Sequence, residues 1–245
     1  MKYLTVKTSL IGLIMSITLS GCYSGIPLTS RNIDTDWITA SVTVPEPAPS
    51  VAGIRERNII EFGNYNWRVL DVQDSYALII TENIIESRLY HNTVEVVTWE
   101  TSDIRAYLNG EFLNSFSEEC RARIRETNVV NNNNPWFGTD GGNDTIDRIF
   151  LLSLEEVVRY FGDSGQLQNR PHRNPWWIDD RYNSARAARD TSGLASWWWL
   201  RTPGDLDNAT RIASRGRVAV GSYAVRADWN GLGGVRPALW LRLEF

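Results

Sequence analysis

Trp197-Trp198-Trp199-Leu200-Arg201-Thr202-Pro203-Gly204 is the stretch whose reading decides the fold. Successive side chains of a strand point to opposite faces, so three consecutive Trp place indoles on both sides of one strand. Either both faces are covered by the rest of the domain, or one of them offers an indole to a ligand or partner. Arg-Thr-Pro-Gly then closes the segment as a turn signal. A second segment answers it: Gly233-Gly234-Val235-Arg236-Pro237-Ala238-Leu239-Trp240-Leu241, in which Gly-Gly makes a tight corner into a last strand. Arg201 and Arg236 each sit close to a Pro in apolar sequence, which predicts burial beside a carboxylate. Glu100, Asp103 and Asp147 are the expected partners, in a structural role.

Working outward, the 245 residues, 42% of them hydrophobic, suffice for one domain with appendages. Lys2 and Lys7 precede an apolar run from Ser9 to Leu19, and Leu19-Ser20-Gly21-Cys22 follows. This is a secretory signal over residues 1–21, and its last tetrapeptide resembles the bacterial lipobox, with Cys22 as the lipidated residue. Acyl chains there predict a membrane-anchored lipoprotein of the cell envelope, facing the periplasm or the exterior. Removing residues 1–21 takes away two cations and no acid, so a formal charge of −4 becomes −6 and no Lys remains. Schiff-base and P-loop chemistry are thereby excluded, and the acidic balance argues against nucleic acid. With Cys22 carrying lipid, Cys120 is expected to be a lone, core-packed thiol.

Residues 22–57 read as a tether. Pro45, Pro47 and Pro49 alternate in Val44-Pro45-Glu46-Pro47-Ala48-Pro49-Ser50, which favours an extended spacer. The globular domain is expected over 58–245. Ile59-Ile60-Glu61-Phe62-Gly63, Trp67-Arg68-Val69-Leu70-Asp71-Val72 and Tyr76-Ala77-Leu78-Ile79-Ile80-Thr81 predict an antiparallel meander. A helix is expected after Thr101 or Ser102, ending at Asn109-Gly110, with a second capped by Ser117. Arg148-Ile149-Phe150-Leu151-Leu152 reads as a buried strand. Ser153-Leu154-Glu155-Glu156 is a capping box opening a helix that Gly162 stops. A hairpin over 209–226, turning at Ser214-Arg215-Gly216, precedes the last strand. The fold class is therefore α+β: an antiparallel meander with a few short helices and long irregular loops.

Those loops carry the candidate chemistry. Between Asn128 and Asp147 the donors Asp140, Asn143, Asp144 and Asp147 supply the oxygen chemistry of a Ca²⁺ loop without EF-hand spacing, the alternative being a loop folded by its own hydrogen bonds. Trp136, Trp176, Trp177 and Trp229 stand in polar loops, where indoles bind sugar faces or anchor protein interfaces, or else plug the domain's own surface. Arg226 and His172 lie in the same kind of sequence, and His172 is a better candidate for acid–base work than His91. No zinc spacing and no phosphate loop is present.

Several spaced motifs together resemble a bacterial domain family, DUF6273. They are Trp67 to Leu70, Thr98 to Asn109, Asp147 to Glu156, Trp198 to Gly204 and Gly234 to Trp240. Ser102 departs from that pattern, since members often carry Cys there. The order of elements is in turn similar to C-type-lectin-like and formylglycine-generating-enzyme-like domains, although the reactive cysteine pair of the latter has no counterpart. The resemblance implies recognition of glycans or proteins through irregular loops. The expected function is thus a surface lipoprotein that binds a glycan, an envelope polymer or a protein through Trp- and Arg-rich loops. Two alternatives stand beside it: an envelope hydrolase with His172 in a deep pocket, and a structural envelope protein with its loop Trp buried.

Overall fold

Gly63 and Asn64 have φ of 58° and 68°. Positive φ at both central residues is what a two-residue type I′ hairpin turn requires, and its twist matches that of the flanking strands. It joins β1 (Ile59–Phe62) to β2 (Tyr65–Gln73), paired from Phe62 opposite Tyr65 to Ile59 opposite Arg68. Asp74, at φ 53°, turns β2 into β3 (Tyr76–Thr81), so the expected meander is present. The computed structural model describes residues 58–173, 175–221 and 232–243. The signal segment, Cys22, the tether, Arg226 and Trp229 lie outside these residues.

The chain continues through β4 (Glu86–Arg88), α1 (Asp103–Tyr107), a π-helical turn (Leu108–Phe112) and α2 (Glu118–Arg123). A small hairpin, β5 (Thr127–Val129) and β6 (Thr145–Asp147), flanks the Asn-rich loop. Next come α3 (Leu154–Phe161), β7 (Trp177–Ile178), α4 (Asn183–Arg186) and the minor pair β8 (Ala188–Arg189) and β9 (Ala195–Ser196). The strands β10 (Trp198–Pro203), β11 (Ala209–Ile212), β12 (Val218–Ala219), β13 (Gly233–Val235) and β14 (Ala238–Arg242) complete the described residues. They form an α+β fold on two principal sheets. One runs β1-β2-β3-β14 and is antiparallel; the other runs β4-β13-β10-β11-β12-β7, with a parallel pairing between β10 and β13.

Two connections pass side by side between the sheets. β3 leads to β4, and β13 leads through Arg236-Pro237 to β14. At this crossing Ile85 N–H donates to Val235 O and Thr81 N–H to Pro237 O, each at 3.0 Å. Arg236, fully buried, donates from Nε to Thr81 O (2.8 Å) and from Nη2 to Glu82 O (3.0 Å). Its guanidinium also lies over Trp198 and Phe161. Burial, and then the neighbouring Arg68, push its pKa down to about 9. Its hydrogen-bonding partners are therefore carbonyls rather than the expected carboxylate. Glu82 spends its carboxylate on Arg68.

The Trp-rich strand settles the question its sequence poses. Every residue of β10 is buried, and Trp198 and Trp199 are wholly so. An unpaired indole N–H would be costly there. Trp198 donates to Arg186 O (3.1 Å) and Trp199 to Arg88 O (3.0 Å). Trp67 and Trp99 likewise donate, to Phe62 O and to an Asp147 carboxylate oxygen.

The helix starts are as the local sequence predicts. The Ser102, Ser117 and Ser153 hydroxyls accept backbone N–H from Arg105, Cys120 and Glu156, and Ser153 with Glu156 completes a capping box. Gly162 ends α3 at φ 123°.

Two local expectations are corrected by one side chain. Asn109-Gly110 does not stop the helix, which continues as the π turn. Residues 149–152 are buried, yet 148–152 form no ladder strand; Phe150 bridges to Ala238. Asn109 explains both differences, because its Oδ1 accepts N–H from Arg148 and Ile149 and its Nδ2 donates to Ile149 O. The amide side chain supplies the partners that a neighbouring strand would have supplied.

Cys120 is fully buried, as expected of a core-packed residue. No helix among the described residues is long and apolar enough to cross a membrane.

Candidate functional site

β7 is the terminal strand of the six-stranded sheet; it opens at Trp177, and Trp176 immediately before it meets a different set of neighbours. Trp176, 42% exposed, stacks on Phe137 with centroids 5.2 Å apart and planes at 22°. The Asn-rich loop is what holds Phe137 there. Asn134, 1% exposed, donates from Nδ2 to Pro203 O and Val220 O, each at 2.8 Å. Its Oδ1 accepts the N–H groups of Trp136 and Phe137. Phe137 lies flat on Gly221, where an added Cβ would come within 2.2 Å of the ring. Trp136 is half-buried and donates its indole N–H to Leu167 O (2.8 Å). The Arg170 guanidinium sits among the three rings, 4.6 Å from the Phe137 centroid and 5.2 Å from that of Trp136. Bonds to Pro175 O and Trp136 O fix its plane.

A cross-strand row ending at β7 links Trp199 to Arg211, Arg211 to Ala219 and Ala219 to Trp177. Cations and indoles alternate along it. Arg217 lies 4.7 Å from the Trp177 centroid and Arg211 5.7 Å from it; Arg211 is also 5.0 Å from Trp197. Trp197 then meets Trp199 edge-on at 4.7 Å. The row has room for these groups because it also contains Ala219 and Gly233. A Cβ at Gly233 would come within 2.1 Å of the Trp199 indole nitrogen.

The remaining predicted site residues are dispersed. Asp147 is buried and receives Trp99, Arg105 and Thr145. Asp144 accepts Asn131 N–H, Asp140 accepts Gly142 N–H, and Asn143 donates to Glu100. Among the described residues no group of three or more His, Cys, Asp or Glu is placed to hold a metal ion. The donors of the 140–147 stretch instead tie the loop to itself and to α1.

Arg201 is buried, as expected, but its carboxylate partner is Glu156 rather than Glu100, Asp103 or Asp147. His172 is exposed.

A separate cavity of about 540 Å³ is lined by Glu86, Arg88, Asn92, Asp103, Tyr107 and Leu232, among others. Beside it, His91 stands between Glu95 (2.9 Å) and Asp103 (3.0 Å). Arg88 covers the Tyr107 ring, and burial together with Glu86 pushes that phenol's pKa up. Sequence reasoning missed this cavity, and also missed Phe137, Arg170, Arg211 and Arg217. The alternation of Arg211, Ala213, Arg217 and Ala219 across the Ser214-Arg215-Gly216 turn was a readable signal that one hairpin face carries guanidiniums.

Fold and site together define an α+β domain with surface aromatic and charged clusters, an arrangement consistent with a ligand-binding module. The family model of the domain of unknown function DUF6273 matches residues 74–243, and the chain belongs to that family. The resemblance drawn from the motifs is thereby shown at the family level. No curated protein and no solved structure matches the chain.

Proposed function

We propose that this chain is a membrane-anchored envelope lipoprotein whose domain binds a glycan-containing ligand at the β7 edge. One observation carries the reading: an exposed indole, Trp176, is stacked on Phe137 beside an Arg whose plane three rings and two carbonyls fix. A solvent-facing aromatic plane with a pinned donor beside it suits the apolar face and hydroxyl edge of a sugar. It is held by buried hydrogen bonds through Asn134, so little ordering remains to be done on binding. Recognition through irregular loops also accords with the lectin-like likeness proposed from the order of elements. His172, on which a hydrolase reading depended, is exposed and adds no support to it.

The anchor is proposed from Leu19-Ser20-Gly21-Cys22 alone. The chain has one other cysteine besides Cys120, namely Cys22. A sulfur in a thioether to lipid cannot also form a disulfide, so the two fates of Cys22 exclude each other.

Binding of the full chain to envelope polysaccharides, followed by tryptophan fluorescence, tests the reading. Trp176→Ala, an exposed change expected to leave the fold intact, should abolish binding. Unchanged binding by this variant would overturn the assignment of the site.

A further inference from the structure

The row ending at Trp177 points to the charge of the ligand. Arg217 lies over the Trp177 ring, 4.7 Å from its centroid, in a cation–π contact. The nearest acid to Arg217 is Asp179, at 3.9 Å, and the two side chains are 41% and 47% exposed. Among the described residues the Arg217 side chain is held by this long ion pair and by the Trp177 ring, and it stays partly exposed. Arg211 makes ring contacts one step inward, with Trp177 and Trp197. Arg170 stands with the neighbouring set of rings, over Phe137. Three guanidiniums in contact with aromatic rings therefore lie near a two-residue strand, in a chain whose formal charge is −4. A planar, preoriented fork matches a carboxylate in bidentate fashion. The flanking indoles match the apolar face of a sugar ring.

We infer that the β7 edge binds an acidic polysaccharide, with uronate carboxylates at Arg217 and sugar faces on the neighbouring indoles. This rests on the glycan reading above and adds the ligand's charge. The net-negative chain disfavours a nucleic acid, whose affinity comes mainly from phosphate contacts with a basic surface.

The test uses the full chain in detergent, with oligogalacturonate, its methyl-esterified neutral form and single-stranded DNA as probes. Oligogalacturonate is expected to bind, and to weaken as salt rises from 50 to 500 mM, because exposed charge pairs are screened. Arg217→Gln is expected to weaken it about tenfold, as for loss of one charge-assisted pair. The same variant should leave binding of the neutral ester unchanged, whereas Trp176→Ala should weaken both. Equal affinity for acid and ester, or no effect of Arg217→Gln, overturns the charge assignment while the glycan reading survives. Binding of neither polymer by a protein with an unaltered unfolding midpoint overturns both. DNA bound as tightly as oligogalacturonate overturns the uronate assignment in favour of a general polyanion site.

Discussion

Glu156 serves two masters in this fold: its carboxylate accepts the Ser153 N–H of the α3 capping box and pairs in bidentate fashion with Arg201 of β10. Arg201 also donates to Leu151 O and Val130 O. One carboxylate therefore joins a helix start, the buried 149–152 segment and the Trp-rich strand.

Removing it should be expensive. Glu156→Ala leaves a buried guanidinium without its counter-charge, for which about 3–5 kcal/mol is typical, and loses part of a cap as well. Arg201→Met combined with Glu156→Gln removes both charges and should recover much of that loss. Urea unfolding of the singles and the double checks it; additive losses would show that the pair is not coupled.

Asn134→Ala should affect stability and binding together. It strips donors from two carbonyls and an acceptor from two N–H groups at a buried position, at a cost of about 1–3 kcal/mol for each group left unpaired. With Trp136 and Phe137 unpinned, Trp176 loses its stacking partner. The expected signature is a lower unfolding midpoint with weaker glycan affinity at temperatures where the protein is still folded.

Asp180 makes a pH prediction. Burial works to raise its pKa, but hydrogen bonds from Arg186, Ser164 and the Tyr182 N–H outweigh that and hold it below the ordinary 3.8. A carboxyl depressed in the folded state contributes stability that is fully present above the unfolded pKa and lost as pH falls through the folded one. Stability should therefore be insensitive to this group from neutral pH down to about 5 and decline below about 4. Asp180→Asn should be less stable at pH 7 and show a shallower acid limb in midpoint against pH. An acid limb identical to that of the parent chain would exclude the Asp180–Arg186 pair as its source.

Cys22 offers a chemical test of the proposed anchor. Detergent phase partitioning should place the exported protein in the detergent phase and Cys22→Ser in the aqueous phase. The intact mass should exceed the polypeptide's by the acyl groups. A chain of unmodified mass, short of two hydrogens, would instead identify a Cys22–Cys120 disulfide and remove the anchor.

How far the sequence could be read depended on the range of the interaction. Ser102, Ser117 and Ser153 were legible as caps, because each acts on N–H groups within a few residues. Arg201 was legible as buried but not as paired with Glu156, since the two lie 45 positions apart and only the fold brings the capping box beneath β10. Asp147, expected in a calcium loop or beside Arg201, is held by Arg105 and Trp99, 42 and 48 residues earlier. Asn109 is the plainest case. Asn-Gly is a sound local stop signal, yet contacts to residues 148–149 outweigh it. The meeting of the Arg-bearing hairpin face with Trp177 was hidden for the same reason, since it arises from the register of β12 with the distant β7, while the exposed indole of Trp176 was anticipated from its polar surroundings.

The crossing at Arg236 has a consequence for how the protein comes into being. Residues 233–242 supply β13 to one sheet and β14 to the other, so neither sheet can close until that segment has been synthesised. A nascent chain ending before Gly233 leaves the outer edge of β3 and the facing edges of β4 and β10 all unpaired, and such pairings over long sequence separation form late. The proposed export through a translocation channel would be helped by this timing. The same dependence makes loss of the 233–242 segment a failure of the whole domain rather than of one strand.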